Sequence, residues 1–152
     1  MDLRPGNVIK WIDFEEGRDP NSPLKPFWFL YWGTYGDDPK YILLHRFTTN
    51  FEAYESGGNR SSHKIKKFYR NPHNKFFLED CLLDFDERLY EQFTFETIGQ
   101  FALAIEKVGS LRDHDIREAY NILLKNGRYS RYIKNNIHES MNMSGITGLK
   151  KP

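Results

Sequence analysis

Two short stretches of the 152-residue chain hold residue types suited to phosphate chemistry. His45-Arg46-Phe47-Thr48-Thr49 closes a β-rich run. Strand alternation puts His45, Phe47 and Thr49 on one face and Arg46 and Thr48 on the other. A guanidinium beside a hydroxyl can grip a phosphate, one by charge and the other by hydrogen bond. The simpler reading is a strand end whose polar groups meet water. The second stretch, residues 60–75, contains Arg60, Lys64, Lys66, Lys67, Arg70 and Lys75 and no Asp or Glu, with Phe68 and Tyr69 among the cations. Cations neutralise phosphates and aromatic faces stack on unpaired bases, so Arg60, Lys64, Lys66, Lys67, Tyr69 and Arg70 are candidate contacts to single-stranded nucleic acid. The competing reading is a solvated edge strand whose lysines discourage pairing with another sheet.

Other constellations point nowhere sharp. His63, His73 and Cys81 match no metal-ligand spacing, and Cys81 lies in an apolar stretch where a buried thiol is the commoner use. Glu79, Asp80, Asp84, Asp86, Glu87, Glu91 and Glu96 cluster with only Arg88 to offset them. They suit the outward face of a strand and the approach to a helix. There is no G-x-x-x-x-G-K-[ST], G-x-G-x-x-G or G-x-S-x-G, so ATP-driven, dinucleotide-dependent and α/β-hydrolase chemistry lack a motif. No cofactor and no metal is expected.

The charge balance of 22 Lys+Arg against 21 Asp+Glu hides this local segregation: a basic segment is followed by an acidic one. One cysteine excludes a disulfide framework within the chain. The longest apolar run, residues 27–32, is too short to span a membrane, and the first residues lack the apolar core of a secretory signal. The expectation is a cytoplasmic protein with no membrane partner. With 12 Phe, 9 Tyr and 3 Trp, the chain can bury a real core despite 39% hydrophobic residues.

The elements that must position these residues fall into two parts. Residues 8–14, 27–32, 41–49 and 63–69 read as strands, and Phe76-Phe77-Leu78 and Leu82-Leu83-Asp84-Phe85 as two shorter ones, punctuated by Gly/Pro/Asn turns. Residues 27–32 are aromatic on both faces, which fits a central strand. After residue 94 the period becomes helical. Phe95, Ile98, Ala102 and Ile105 predict a helix over residues 94–108, and Ile116, Ala119, Tyr120, Leu123 and Leu124 a second, started by Ser110 and Asp113. A short third helix is expected over residues 130–138. The fold class is α+β, mainly β: a small barrel over residues 1–93, a helical extension over 94–139 in the same domain, and a flexible tail over 140–152.

Taken together, three stretches resemble the MazF/PemK-like toxins of type II toxin–antitoxin systems. Pro5-Gly6-Asn7-Val8-Ile9-Lys10-Trp11-Ile12-Asp13-Phe14 is similar to that family's opening strand, Lys25-Pro26-Phe27-Trp28-Phe29-Leu30 to its R-P-hydrophobic run, and Phe47-Thr48-Thr49 to its [IV]-T-[ST] strand end. Residues 74–85 occupy the place of the later strands, and Val108-Gly109-Ser110-Leu111 onward resembles the closing helix. The resemblance covers residues 5–125 and implies an SH3-like barrel, a homodimer, a cognate antitoxin and metal-independent cleavage of single-stranded RNA by the ribose 2′-OH.

Matched position by position, the family's arginine falls on Lys25 and its threonine on Thr48. Lysine keeps the charge but loses the bidentate fork. The resemblance therefore implies Lys25 and Thr48 on the scissile phosphate, with Arg46 or His45 assisting and residues 60–75 guiding RNA. The alternative is a catalytically inactive SH3-like barrel that binds nucleic acid or a protein. A purely structural interaction module is a third.

Overall fold

The computed structural model describes residues 2–14, 21 and 25–152. Six strands, β1 (Asn7–Trp11), β2 (Phe27–Tyr35), β3 (Tyr41–Thr48), β4 (Ile65–Phe68), β5 (Cys81–Asp84) and β6 (Ile105–Ser110), form one antiparallel sheet in the order β4-β5-β3-β2-β1-β6. Among the described residues, three α-helices accompany it: α1 (Phe95–Gln100), α2 (Asp113–Lys125) and α3 (Arg131–Met143). The class is α+β, and the sheet does not close: β4 and β6 are its two ends. No helix among the described residues is long and apolar enough to cross a membrane.

β2 lies in the interior of the sheet because both of its faces are apolar. Leu30 and Trp32 point into one core and Phe29 and Tyr31 into the other, and all four are buried. The same alternation runs through β3, with Leu43 and Phe47 on the first face and Ile42 and Leu44 on the second. The first core is closed by the apolar stripes of α2 (Ile116, Ala119, Tyr120, Leu123) and α3 (Ile133, Ile137, Met141). The second is an aromatic cluster of Trp11, Phe14 and Phe29 with Tyr90 and Phe93 over it.

The helix predicted over residues 94–108 forms only as α1, capped by the Thr94 side chain accepting from the Thr97 amide. Residues 105–110 are instead β6, because β1 offers a row of backbone groups and β6 satisfies them, from Trp11↔Ile105 to Asn7↔Ser110. Ile105 satisfies both patterns, so periodicity alone could not separate them. α2 starts two residues later than Ser110 suggests: its N-cap is Arg112, which makes no side-chain cap, and Asp113 and Asp115 supply the favourable negative charge. α3 is longer than expected, capped by Ser130 accepting from the Ile133 amide at 3.1 Å. Ile146 and Leu149, in the segment read as a tail, pack against the first core.

Candidate functional site

The start of β2 and the end of β3 are neighbours because the two strands form a long antiparallel pair in which Phe29 faces Arg46. Around that end the segment leading into β5 folds over, and the three pieces enclose an open cleft of about 460 Å³. Lys25, Pro26, Phe27 and Trp28 form one wall and Arg46 to Asn50 another. Phe77, Leu78, Glu79 and Cys81 form the third. Two residues matched by resemblance, Lys25 and Thr48, thus line one concavity with Arg46, although they are separated in sequence by most of two strands and a turn.

Each polar group there has a local reason for its position. Arg46 is exposed, and its guanidinium carbon stands 4.1 Å from the Phe27 ring centroid, a cation–π contact that holds the planar group at the rim. Thr48 Oγ1 accepts from the Asn50 amide at 3.3 Å, which fixes its oxygen at the strand end and leaves its hydrogen to donate. Among the described residues, Glu79 is the carboxylate that lines the cleft. Cys81 borders it but is buried, and burial pushes its thiol up to about 12, so it is a packing residue and no nucleophile at neutral pH.

His45 does not join this site. It lies on the opposite face of β3 from Arg46, fully buried, with its ring edge-on to Phe85. Trp32 Nε1 donates to its Nδ1 at 3.4 Å, and its Nε2 donates to the Asp84 carbonyl at 2.9 Å. These partners select the neutral tautomer protonated on Nε2. Burial holds its pKa down to about 4, so His45 is a core histidine with no access to a phosphate.

The basic segment is also divided by the fold. Arg60 Nη1 donates to the Tyr54 hydroxyl at 3.0 Å and pairs with Glu87 at 2.7 Å. Lys66 lies between Asp115, at 3.4 Å, and Glu118 on α2. Both cations thus have carboxylate partners that the sequence places elsewhere. Lys67 lies over the Phe51 ring, 5.7 Å from its centroid. Lys64, Lys67, Tyr69 and Arg70 remain exposed.

His63, His73 and Cys81 do not converge. His63 instead meets Asp84 and Asp86, with one ligand-type atom from each inside a 4.8 Å group. Hydrogen bonds already account for that arrangement. The buried Asp84 carboxylate receives His63 Nδ1 at 2.7 Å, the Tyr54 hydroxyl at 2.9 Å and the Asp86 amide at 2.8 Å. Asp86 accepts the Lys64 amide at 2.7 Å, the main reason its carboxyl titrates below the usual range. The cluster pins the β3–β4 connection to the end of β5. Sequence reasoning missed it, since its members are spread from Tyr54 to Glu87; the only signal was a lone aspartate, Asp84, inside an apolar strand. No family model, curated protein or solved structure matches the chain in the three comparisons made.

Proposed function

We propose that the chain is a MazF/PemK-like toxin, a metal-independent endoribonuclease acting on single-stranded RNA in the cytoplasm. The observation that carries this reading is the shared cleft of Lys25, Thr48 and Arg46. Arg46 supplies the guanidinium fork that Lys25 lacks.

The reaction needs a base, a charge sink and an acid. Glu79 takes the proton from the ribose 2′-OH, whose oxygen then attacks the adjacent phosphorus. Arg46 and Thr48 hold the non-bridging oxygens as negative charge builds on the phosphorane. Lys25 gives a proton to the departing 5′-oxygen. The products are a 2′,3′-cyclic phosphate and a 5′-hydroxyl end, and the chemistry consumes no cofactor. Phe27 and Trp28 offer faces for the flanking bases.

The SH3-like barrel, homodimer and antitoxin belong to the same proposal. The sheet itself is open, with β4 and β6 as its ends. Ile12, Phe101 and the fully exposed Leu103 supply apolar surface near β6 for a protein partner.

Purified protein incubated with single-stranded RNA in EDTA tests the reading. Cleavage that is lost in Thr48→Ala and Lys25→Ala supports it. Lysine at the family's arginine position favours a second reading, an inactive barrel that only binds nucleic acid or a protein. Salt-sensitive RNA binding without cleavage would establish the nucleic-acid form of it.

A further inference from the structure

A second concavity, of about 680 Å³, opens between α2, α3 and residues 150–152. Among the described residues its charged lining consists of Lys125, Arg131, Lys134, Lys150 and Lys151, with no Asp or Glu. None of the five forms an ion pair with a carboxylate side chain among the described residues, whereas Arg60, Lys66, Arg112, Arg117 and Arg128 all do. Among the described residues the acceptor on these cations is the Pro152 main-chain oxygen, 3.5 Å from Arg131 Nη2.

The gathering is built rather than accidental, because side chains of both helices hold the terminal segment in place. Arg117 Nη1 donates to the Thr147 carbonyl at 2.7 Å and the Tyr120 hydroxyl to the Lys150 carbonyl at 2.6 Å. His138 Nε2 lies 3.3 Å from the Leu149 carbonyl. Those bonds bring Lys150 and Lys151 to the same opening as the cations of α2 and α3. The first turn of α3 carries no acid, so its positive end adds to the field. Like charges held around one concavity repel, and an anion that spans them removes the cost.

We propose that this cleft binds the phosphodiester backbone of a nucleic acid, engaging successive phosphates. Four lysines to one arginine offer point charges in preference to bidentate readout, and the described lining contains no aromatic ring to stack a base. Recognition is accordingly of the backbone and indifferent to sequence. The site is separate from the Lys25–Thr48 cleft and does not depend on cleavage there.

The test uses a fluorescent 2′-O-methyl RNA, which cannot be cleaved through its 2′ position, a duplex DNA and polyglutamate, each titrated over a range of salt. Wild type is compared with the triple variant Lys125→Gln, Lys134→Gln, Lys151→Gln, with the single variant Lys134→Glu, and with Lys25→Ala/Arg46→Ala. The triple variant is expected to bind the RNA about tenfold or more weakly and to lose about two units of salt slope, as about 0.7 per single-strand phosphate requires. Lys134→Glu should weaken binding in the same direction, with native circular dichroism. Equal losses for RNA and DNA identify the backbone common to both, and a loss for RNA alone names RNA as the source. Unchanged affinity and slope in the triple variant would overturn the proposal, and so would a loss confined to polyglutamate. Loss only in Lys25→Ala/Arg46→Ala would place all nucleic-acid binding in the other cleft and likewise overturn it.

Discussion

The Arg46 guanidinium lies 4.1 Å above the Phe27 ring, which ties a guanidinium of the Lys25–Thr48 cleft to the first residue of β2. Arg46 projects from the face of β3 opposite His45, so it is held by stacking and not by the buried hydrogen bonds that fix its neighbour. A cation positioned this way can turn toward a phosphate without breaking the core. Removing a preorganised transition-state donor typically costs about a hundredfold in rate. Arg46→Ala should lower RNA cleavage by about that factor and Phe27→Leu by less, with thermal midpoints close to wild type. Glu79→Gln, which removes the proposed base, should lower the cleavage rate about a hundredfold or more at unchanged RNA affinity. Cleavage unaffected by Arg46→Ala would remove this residue from the proposed chemistry.

Stability should depend on pH through His45. Its folded pKa, held down to about 4 by burial, is below the unfolded value of about 6.5. The unfolded chain therefore binds the extra proton first, and the contribution is present above about pH 6.5 and is lost as pH falls toward 4. The drop amounts to about 3 kcal/mol. Urea unfolding between pH 4 and 7 should show a slope that flattens in His45→Gln. A wild-type curve with no slope in that window would contradict buried, neutral His45.

Asp84 takes three hydrogen bonds in the interior, from Tyr54, His63 and the Asp86 amide. Asp84→Ala leaves those donors without an acceptor and should cost about 3 kcal/mol in chemical denaturation. His63, a quarter exposed, can turn to water, so His63→Ala should cost about 1 kcal/mol. A double-mutant cycle with a coupling of zero would show that the pair does not anchor the β3–β4 connection.

Gly33 lies where α3 crosses β2. Its φ of +133° is a conformation L side chains rarely adopt, and a Cβ there would run into the Ser140 side chain. Ser140 Oγ in turn accepts the Thr34 amide at 3.2 Å. Gly33→Ala should destabilise the protein by about 2 kcal/mol or more, and Ser140→Gly should recover only the steric part. Full recovery in the double variant would mean that the backbone conformation carries no strain.

The aromatic run of β2, the alternating faces of β3, and the stripes of α2 and α3 were legible in the chain because each is a local pattern set by side-chain period. Residues 105–110 were not. Their apolar spacing is compatible with a helix, and what makes them a strand is the unsatisfied backbone of β1, about a hundred residues away in sequence. The functional residues divide in the same manner. Residue type marked Arg46 and Thr48 as candidate phosphate-binding chemistry and residues 60–75 as basic, and the family resemblance added Lys25. Pairing decided the rest. The β2–β3 register gathered Lys25, Arg46 and Thr48 around one cleft and turned His45 into the core. Packing of α2 and of the segment after β5 neutralised Lys66 and Arg60, while the fold of residues 147–152 onto α2 and α3 assembled a cationic cleft from charges scattered between Lys125 and Lys151. Charge is written in the sequence, but whether a charge is spent or free is a property of distance, and distance between remote residues exists only once the chain has folded.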